Sequence, residues 1–115
     1  MATETHNGGC HCGAVRYTAT LDLAEPVIAC NCSICATKGL LLSFIPADQL
    51  QIHKGDAELA TYRFNTMKIG HRFCRTCGVE VFGQVDGQGA AINVRTLEGV
   101  NTDTLRQQPF DGASR

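Results

Sequence analysis

The residues best suited to chemistry in this chain are seven cysteines that fall into three tight groups. Cys10 and Cys12 form C-x-C, Cys30, Cys32 and Cys35 form C-x-C-x-x-C, and Cys74 and Cys77 form C-x-x-C. Thiolates this close together suit tetrahedral Zn²⁺, which binds sulfur at about 2.3 Å and takes its ligands from short loops. Seven divides naturally into four and three. That gives a closed Cys₄ site and a Cys₃ site whose fourth position is left to water or a substrate. Closed zinc sites are usually structural, and sites with an open position usually catalytic. Two Zn²⁺ per chain are therefore expected.

Cys74-Arg75-Thr76-Cys77-Gly78 reads as a zinc knuckle. The C-x-x-C turn points both sulfurs to one side, and Gly78 permits the positive φ that brings backbone N–H groups to sulfur. Gly9-Cys10-His11-Cys12-Gly13, also flanked by glycine, is the candidate to complete that site. Cys30-Asn31-Cys32-Ser33-Ile34-Cys35 offers three thiolates within six residues, enough to hold one face of an ion and leave the other open. A soft thiolate is favoured there as the incoming ligand. Coordination would lower the thiol's pKa and hold it as a nucleophile. The competing reading makes this site structural too, with a fourth ligand from His71, His11, His53 or Asp56. Disulfides and a redox-active dithiol are the other competitors. The odd count, and the strain of bridging neighbours that point to opposite strand faces, weigh against disulfides.

The composition bounds the partners. A chain of 115 residues with 43% hydrophobic and 18% charged residues is expected to form one globular domain over 1–115. The formal charge of −1 would become more negative once thiolates bind zinc, and the ten Lys and Arg are scattered. No nucleic-acid partner is expected. No stretch approaches a membrane span of roughly 18 apolar residues. MATETHNGGC lacks the basic start and apolar core of a signal peptide. Reduced cysteines and no leader make the cytoplasm the expected location.

The elements that must position these groups are short strands. Alternation over Val15–Ala19, and apolar runs at Pro26–Ala29, Leu40–Ile45, Gln51–Lys54, Leu59–Phe64, Ile69–Phe73, Val79–Val85 and Ala90–Val94, predict about eight strands. Pro46 stops one of them, and 47–50 is expected to form one helical turn. Gly8-Gly9, Gly55-Asp56 and 86–89 read as turns, and neither glycine-rich spot matches a phosphate-cradling loop. Patterning weakens after Leu97, leaving a C-terminal tail over about 98–115 whose last five residues are expected to fray. The fold class is therefore all-β, with small packed sheets.

GGCHCGAVRY at 8–17, CNCSIC at 30–35 followed by Lys38-Gly39, and FCRTCGVEVF at 73–82 resemble the glutathione-dependent formaldehyde-activating family, which includes centromere protein V. INVRTL at 92–97 and PFDGAS near the end resemble further family elements. The resemblance implies an Mss4-like fold of small antiparallel sheets around zinc. It implies that Cys10, Cys12, Cys74 and Cys77 hold the structural ion and that Cys30, Cys32 and Cys35 hold the catalytic-type one. It also implies a carbon–sulfur lyase chemistry, the addition of glutathione to formaldehyde. Asn31 stands where many relatives carry His, which removes a proton-handling group from that position.

The expected enzyme adds glutathione or a similar small thiol to a small aldehyde at the open Cys₃ zinc site. Lys38, three residues past that site, is the candidate to attract a glutathione carboxylate. Arg63, Arg72 and Arg95 are weaker candidates, since a strand arginine usually serves a solvated face. The alternative is a non-enzymatic zinc module for a protein or small-thiol partner. Its support is that no acid or base stands out near Cys30–Cys35, and Glu80 and Asp56 read as surface charges. A reductase of the methionine sulfoxide type needs a spare nucleophilic cysteine, and the three groups leave none.

Overall fold

Residues 3–63, 69–85 and 89–111 are described by a computed structural model. Ten strands and one α-helix follow in order: β1 Glu4–Gly9, β2 Arg16–Leu21, β3 Val27–Cys30, α1 Ser33–Lys38, β4 Leu42–Ile45, β5 Leu50–Lys54, β6 Leu59–Tyr62, β7 Ile69–Cys74, β8 Glu80–Val85, β9 Gly89–Asn93 and β10 Gln107–Phe110. Pro46 ends β4 and opens a single 3₁₀ turn over Ala47–Gln49, as the sequence predicts. Phe64 and the 86–88 part of the expected turn lie outside the described residues, as do the last four residues of the expected tail.

Two sheets form. β1-β2-β5 is three-stranded and antiparallel, and β10-β3-β4-β9-β8-β7-β6 is seven-stranded. Tyr17, Ala19 and Leu21, alternate residues of β2, meet Val81, Phe82, Ala90 and Ile92 of the larger sheet in one core. Alternation along β9 turns Ala91 to the opposite face, where it packs with Cys35, Leu40 and Leu42 beneath α1. The large sheet therefore works on two faces, one for the core and one for the cysteine-bearing helix.

Four expectations need correction. Gly8-Gly9 is not a turn but the end of β1, paired with Tyr17 and Arg16. The predicted strand over Leu40–Ile45 begins only at Leu42, because the chain is leaving α1 at Leu40, whose N–H bonds to Cys35 C=O. The segment after Leu97 is not wholly tail, since it supplies β10. That strand pairs with β3 in parallel, an exception to the expected antiparallel sheets.

A bulge in β8 matters for the site. Arg72 pairs with Phe82 but Phe73 pairs with Glu80, so β8 carries an extra residue, Val81. Val81 and Phe82 both enter the core. The bulge turns Glu80 away from that core, towards the side of Phe73 and His71.

Candidate metal centres

The sulfurs of Cys10, Cys12, Cys74 and Cys77 lie within 4.8 Å of one another. Cys12 Sγ stands 3.7 Å from both Cys10 Sγ and Cys74 Sγ. A tetrahedron with metal–sulfur bonds of about 2.3 Å has edges of about 3.8 Å, so these sulfurs fit one zinc ion. Each pair is built by its own turn. In the second, Gly78 at φ +80 donates its N–H to Cys74 C=O at 2.7 Å, and Thr76 N–H points at Cys74 Sγ at 3.4 Å. In the first, Val15 N–H reaches Cys10 Sγ at 3.3 Å. The Arg75–Glu58 ion pair at 3.0 Å fixes the second turn beside β6.

Charge is shared unevenly among these four thiols. Burial opposes ionisation of Cys77, yet the N–H groups of Val79 and Cys12 and the neighbouring thiols Cys74 and Cys12 outweigh it and bring its pKa down to about 6. Burial likewise opposes ionisation of Cys10, and the Val15 N–H with Cys12 and Cys74 still lowers its pKa. Cys12 has the Ala14 N–H in its favour, but burial and its three partners push it up to about 11. Four thiols this close oppose one another's ionisation, and a cation among them would relieve that repulsion.

The second group is Cys30, Cys32 and Cys35, whose sulfurs also lie within 4.8 Å of one another. Cys30 ends β3. Cys32 is the N-cap of α1 and Cys35 lies in its first turn, so strand end and helix start converge on one point. Cys32 N–H reaches Cys30 Sγ at 3.4 Å. Burial opposes ionisation of Cys32, but the Cys35 N–H and the thiols of Cys35 and Cys30 lower its pKa. Burial and then the Cys32 thiolate push the Cys35 thiol up. Among the described residues no His, Asp or Glu joins this trio. None of the expected fourth ligands joins the trio. His71 Nδ1 faces Glu80, His11 is exposed between the two cysteines of the other group, His53 Nε2 meets Thr18 Oγ1, and Asp56 lines a groove of about 650 Å³ with Leu50, Arg72 and Phe82.

Glu80 overturns its reading as a surface charge: its side chain is 1% exposed. Oε2 accepts a hydrogen bond from His71 Nδ1 at 2.9 Å, and Lys38 Nζ stands 3.1 Å from Oε1. The Lys38 contact is a charge contact rather than an aligned hydrogen bond. Lys38 is the last residue of α1, and its ammonium lies 5.0 Å above the centre of the Phe73 ring. Gly39 ends the helix in the left-handed conformation, and its C=O accepts from Arg95 Nε at 2.8 Å. Arg95 thus buttresses α1, and its Nη1 turns to Thr102. Arg72 donates to Gln84 and stacks over Phe82.

Sequence reasoning missed the joint made by INVRTL. Asn93 Nδ2 donates to Glu80 C=O at 2.8 Å, Thr96 Oγ1 donates to Asn93 C=O at 2.7 Å, and Tyr17 Oη donates to Thr96 Oγ1 at 2.6 Å. Its only signal was the resemblance of INVRTL to a family element. It also missed that Asn31 Nδ2 donates to Asp111 Oδ1 at 3.1 Å and Asn31 N–H to Phe110 C=O, which ties the C-terminal strand to the second cysteine group.

A family model for the glutathione-dependent formaldehyde-activating enzyme matches residues 5–110. Among solved structures, a crystal structure of a Rhodobacter sphaeroides protein is similar over 89% of this chain and 99% of that chain, with 31% sequence identity and a TM-score of 0.79.

Proposed function

The chain belongs to the glutathione-dependent formaldehyde-activating enzyme family, with its Mss4-like fold, and from that premise we propose that it adds glutathione, or a similar small thiol, to a small aldehyde at the Cys30/Cys32/Cys35 site. The product with formaldehyde is S-hydroxymethylglutathione, and the reaction class is that of a carbon–sulfur lyase. The observation that carries this reading is the three-sulfur cluster without a fourth described protein ligand.

In this reading the two cysteine groups divide the work. Cys10, Cys12, Cys74 and Cys77 hold a structural Zn²⁺. Cys30, Cys32 and Cys35 hold a second. A zinc ion at the second site supplies a position for an incoming thiol and lowers that thiol's pKa. The chain's own residues do the rest. Cys35 is buried against Ala91 and Leu42, which fixes the inner wall, while Cys30 and Cys32 are only partly buried and leave the approach open. Lys38 is the cation set against the negative charge that the reactants bring. Seven reduced thiols fit a cytoplasmic setting, where glutathione keeps cysteines reduced.

Cobalt substitution tests the proposal. Addition of glutathione to the dicobalt protein should shift the sulfur-to-metal charge-transfer bands of one site, and aldehyde should then be consumed at a rate abolished by Cys32→Ser. Glutathione that leaves the spectrum unchanged would refute the site assignment. Binding without turnover would leave a thiol-binding module rather than an enzyme.

A further inference from the structure

We propose that Glu80 and His71 hold the Lys38 ammonium as a fixed cation facing the Cys30/Cys32/Cys35 site, where it receives the negative charge that forms on a carbonyl oxygen as a thiol adds to an aldehyde. The proposal rests on the thiol–aldehyde reading of that site. It names the anion that Lys38 meets and the residues that hold Lys38 in place.

The arrangement is specific. A carboxylate 1% exposed is retained in a fold only when paired, and Glu80 has Lys38 on one oxygen and His71 on the other. The β8 bulge delivers it to the side of Phe73 and His71, and Asn93 fixes its backbone C=O. Lys38 lies three residues past Cys35, one helical turn along the same side of α1. Helical side chains lean towards the N-terminus, so the Lys38 stem runs back over the turn that carries Cys35. Its ammonium has three N–H donors. It stands beside Glu80 and over the Phe73 ring, and the side chain as a whole is 28% exposed, so it is not closed off from solvent. A cation braced in this way needs no reorganisation when charge develops beside it, which is how fixed donors favour an oxyanion.

The step balances with thiol and aldehyde alone. The sulfur electron pair forms the C–S bond, and the C=O π pair moves onto oxygen. That oxygen is held by the Lys38 ammonium, which stays charged, and takes up the proton that the thiol gave up on ionising. The sum is thiol plus aldehyde giving the hydroxyalkyl thioether.

The test compares zinc-loaded wild type with Lys38→Met, Lys38→Arg and the double variant Lys38→Met/Glu80→Gln, which removes both charges together so that no carboxylate is stranded. S-carboxymethylglutathione and S-methylglutathione are the probes, since they differ by a negative oxygen near the sulfur. Wild type should bind the carboxymethyl probe at least about tenfold more tightly by calorimetry. Lys38→Arg should keep most of that preference, and the double variant should erase it with two zincs per chain retained. In turnover, the double variant should lose about 100-fold in kcat, with KM for glutathione changed less than about threefold. Equal binding of both probes by wild type would overturn the proposal even if turnover is present. So would a double variant that weakens both probes alike or raises KM alone, since Lys38 would then be docking a carboxylate of glutathione itself. Loss of zinc in the double variant would make the network structural and overturn it as well. A probe preference without turnover would instead refute the lyase reading and leave the anion-facing cation in place.

Discussion

A buried side chain with an ionisable group shows its environment through the pH at which it destabilises the fold. Tyr17 is fully buried in the core between the two sheets, and its hydroxyl donates to Thr96. Burial first, only partly offset by Thr96 and Arg16, raises its pKa from 10.0 to about 12. The folded value lies above the unfolded one, and the neutral form is the one burial favours. The stabilisation is therefore complete below pH 10 and is lost as pH rises through about 12. Two units correspond to roughly 2–3 kcal/mol. Denaturant unfolding of the zinc-loaded protein at pH 8 and pH 11.5 should show a loss of that order, and Tyr17→Phe should remove most of the difference. An unchanged pH dependence in Tyr17→Phe would put the cause elsewhere. Among single residues the cysteines were legible from type and spacing alone. Glu80 was not, because nothing in V-E-V-F tells that Val81 is an extra residue in the pairing and that Glu80 is consequently buried.

At the scale of elements, α1 and β10 decide how the second cysteine group is presented. Neither was read from the sequence. α1 is only six residues long and was masked by the metal motif it carries, although Lys38 in its last turn and Gly39 after it are helix-end signals. β10 is exposed along its length and contains Pro109, so no alternation marks it; its partner β3 defines it. Asn31 joins the two, donating to Asp111 and to Phe110 C=O. Asn31→Ala should loosen this brace. Zinc transfer from the Cys30/Cys32/Cys35 site to a coloured chelator should become at least about threefold faster, with the slower phase from the closed site unchanged. Equal rates in wild type and variant would show that the C-terminal strand does not restrain the site. Gly39 has φ +66 with open space around it, so Gly39→Ala meets no neighbour and suffers only backbone strain. It should cost about 1 kcal/mol, read as a fall in Tm of a few degrees.

For the whole molecule the two cysteine groups have unequal weight. Cys10 and Cys12 lie just before β2 of the small sheet, while Cys74 ends β7 and Cys77 lies between β7 and β8 of the large one. An ion held by these four thiols would therefore clamp the two sheets together at the edge of their shared core, which contains Cys10 and Cys74 themselves. Cys30, Cys32 and Cys35 sit on the other face of the large sheet, with β3 and α1. Cys74→Ala should lower Tm by 10 °C or more, because a structural zinc would contribute folding free energy directly. Cys32→Ser should lose one zinc and all thiol–aldehyde turnover while shifting Tm by only a few degrees. Similar losses of stability in both variants would mean that the second site is structural too.

The sequence by itself determined the division of the cysteines into a group of four and a group of three that could each hold a metal ion, and the predominance of short strands. Those features rest on residue type and local spacing, and the turns around Cys74–Gly78 and Cys10–Val15 form from their own segments. Only the tertiary structure decided what surrounds the Lys38 ammonium. Lys38, Phe73, Glu80 and Asn93 come from α1, β7, β8 and β9, and they meet because of strand order and a one-residue bulge. Sheet register is set by core packing over the whole chain, so a charge placed by register has no local signature.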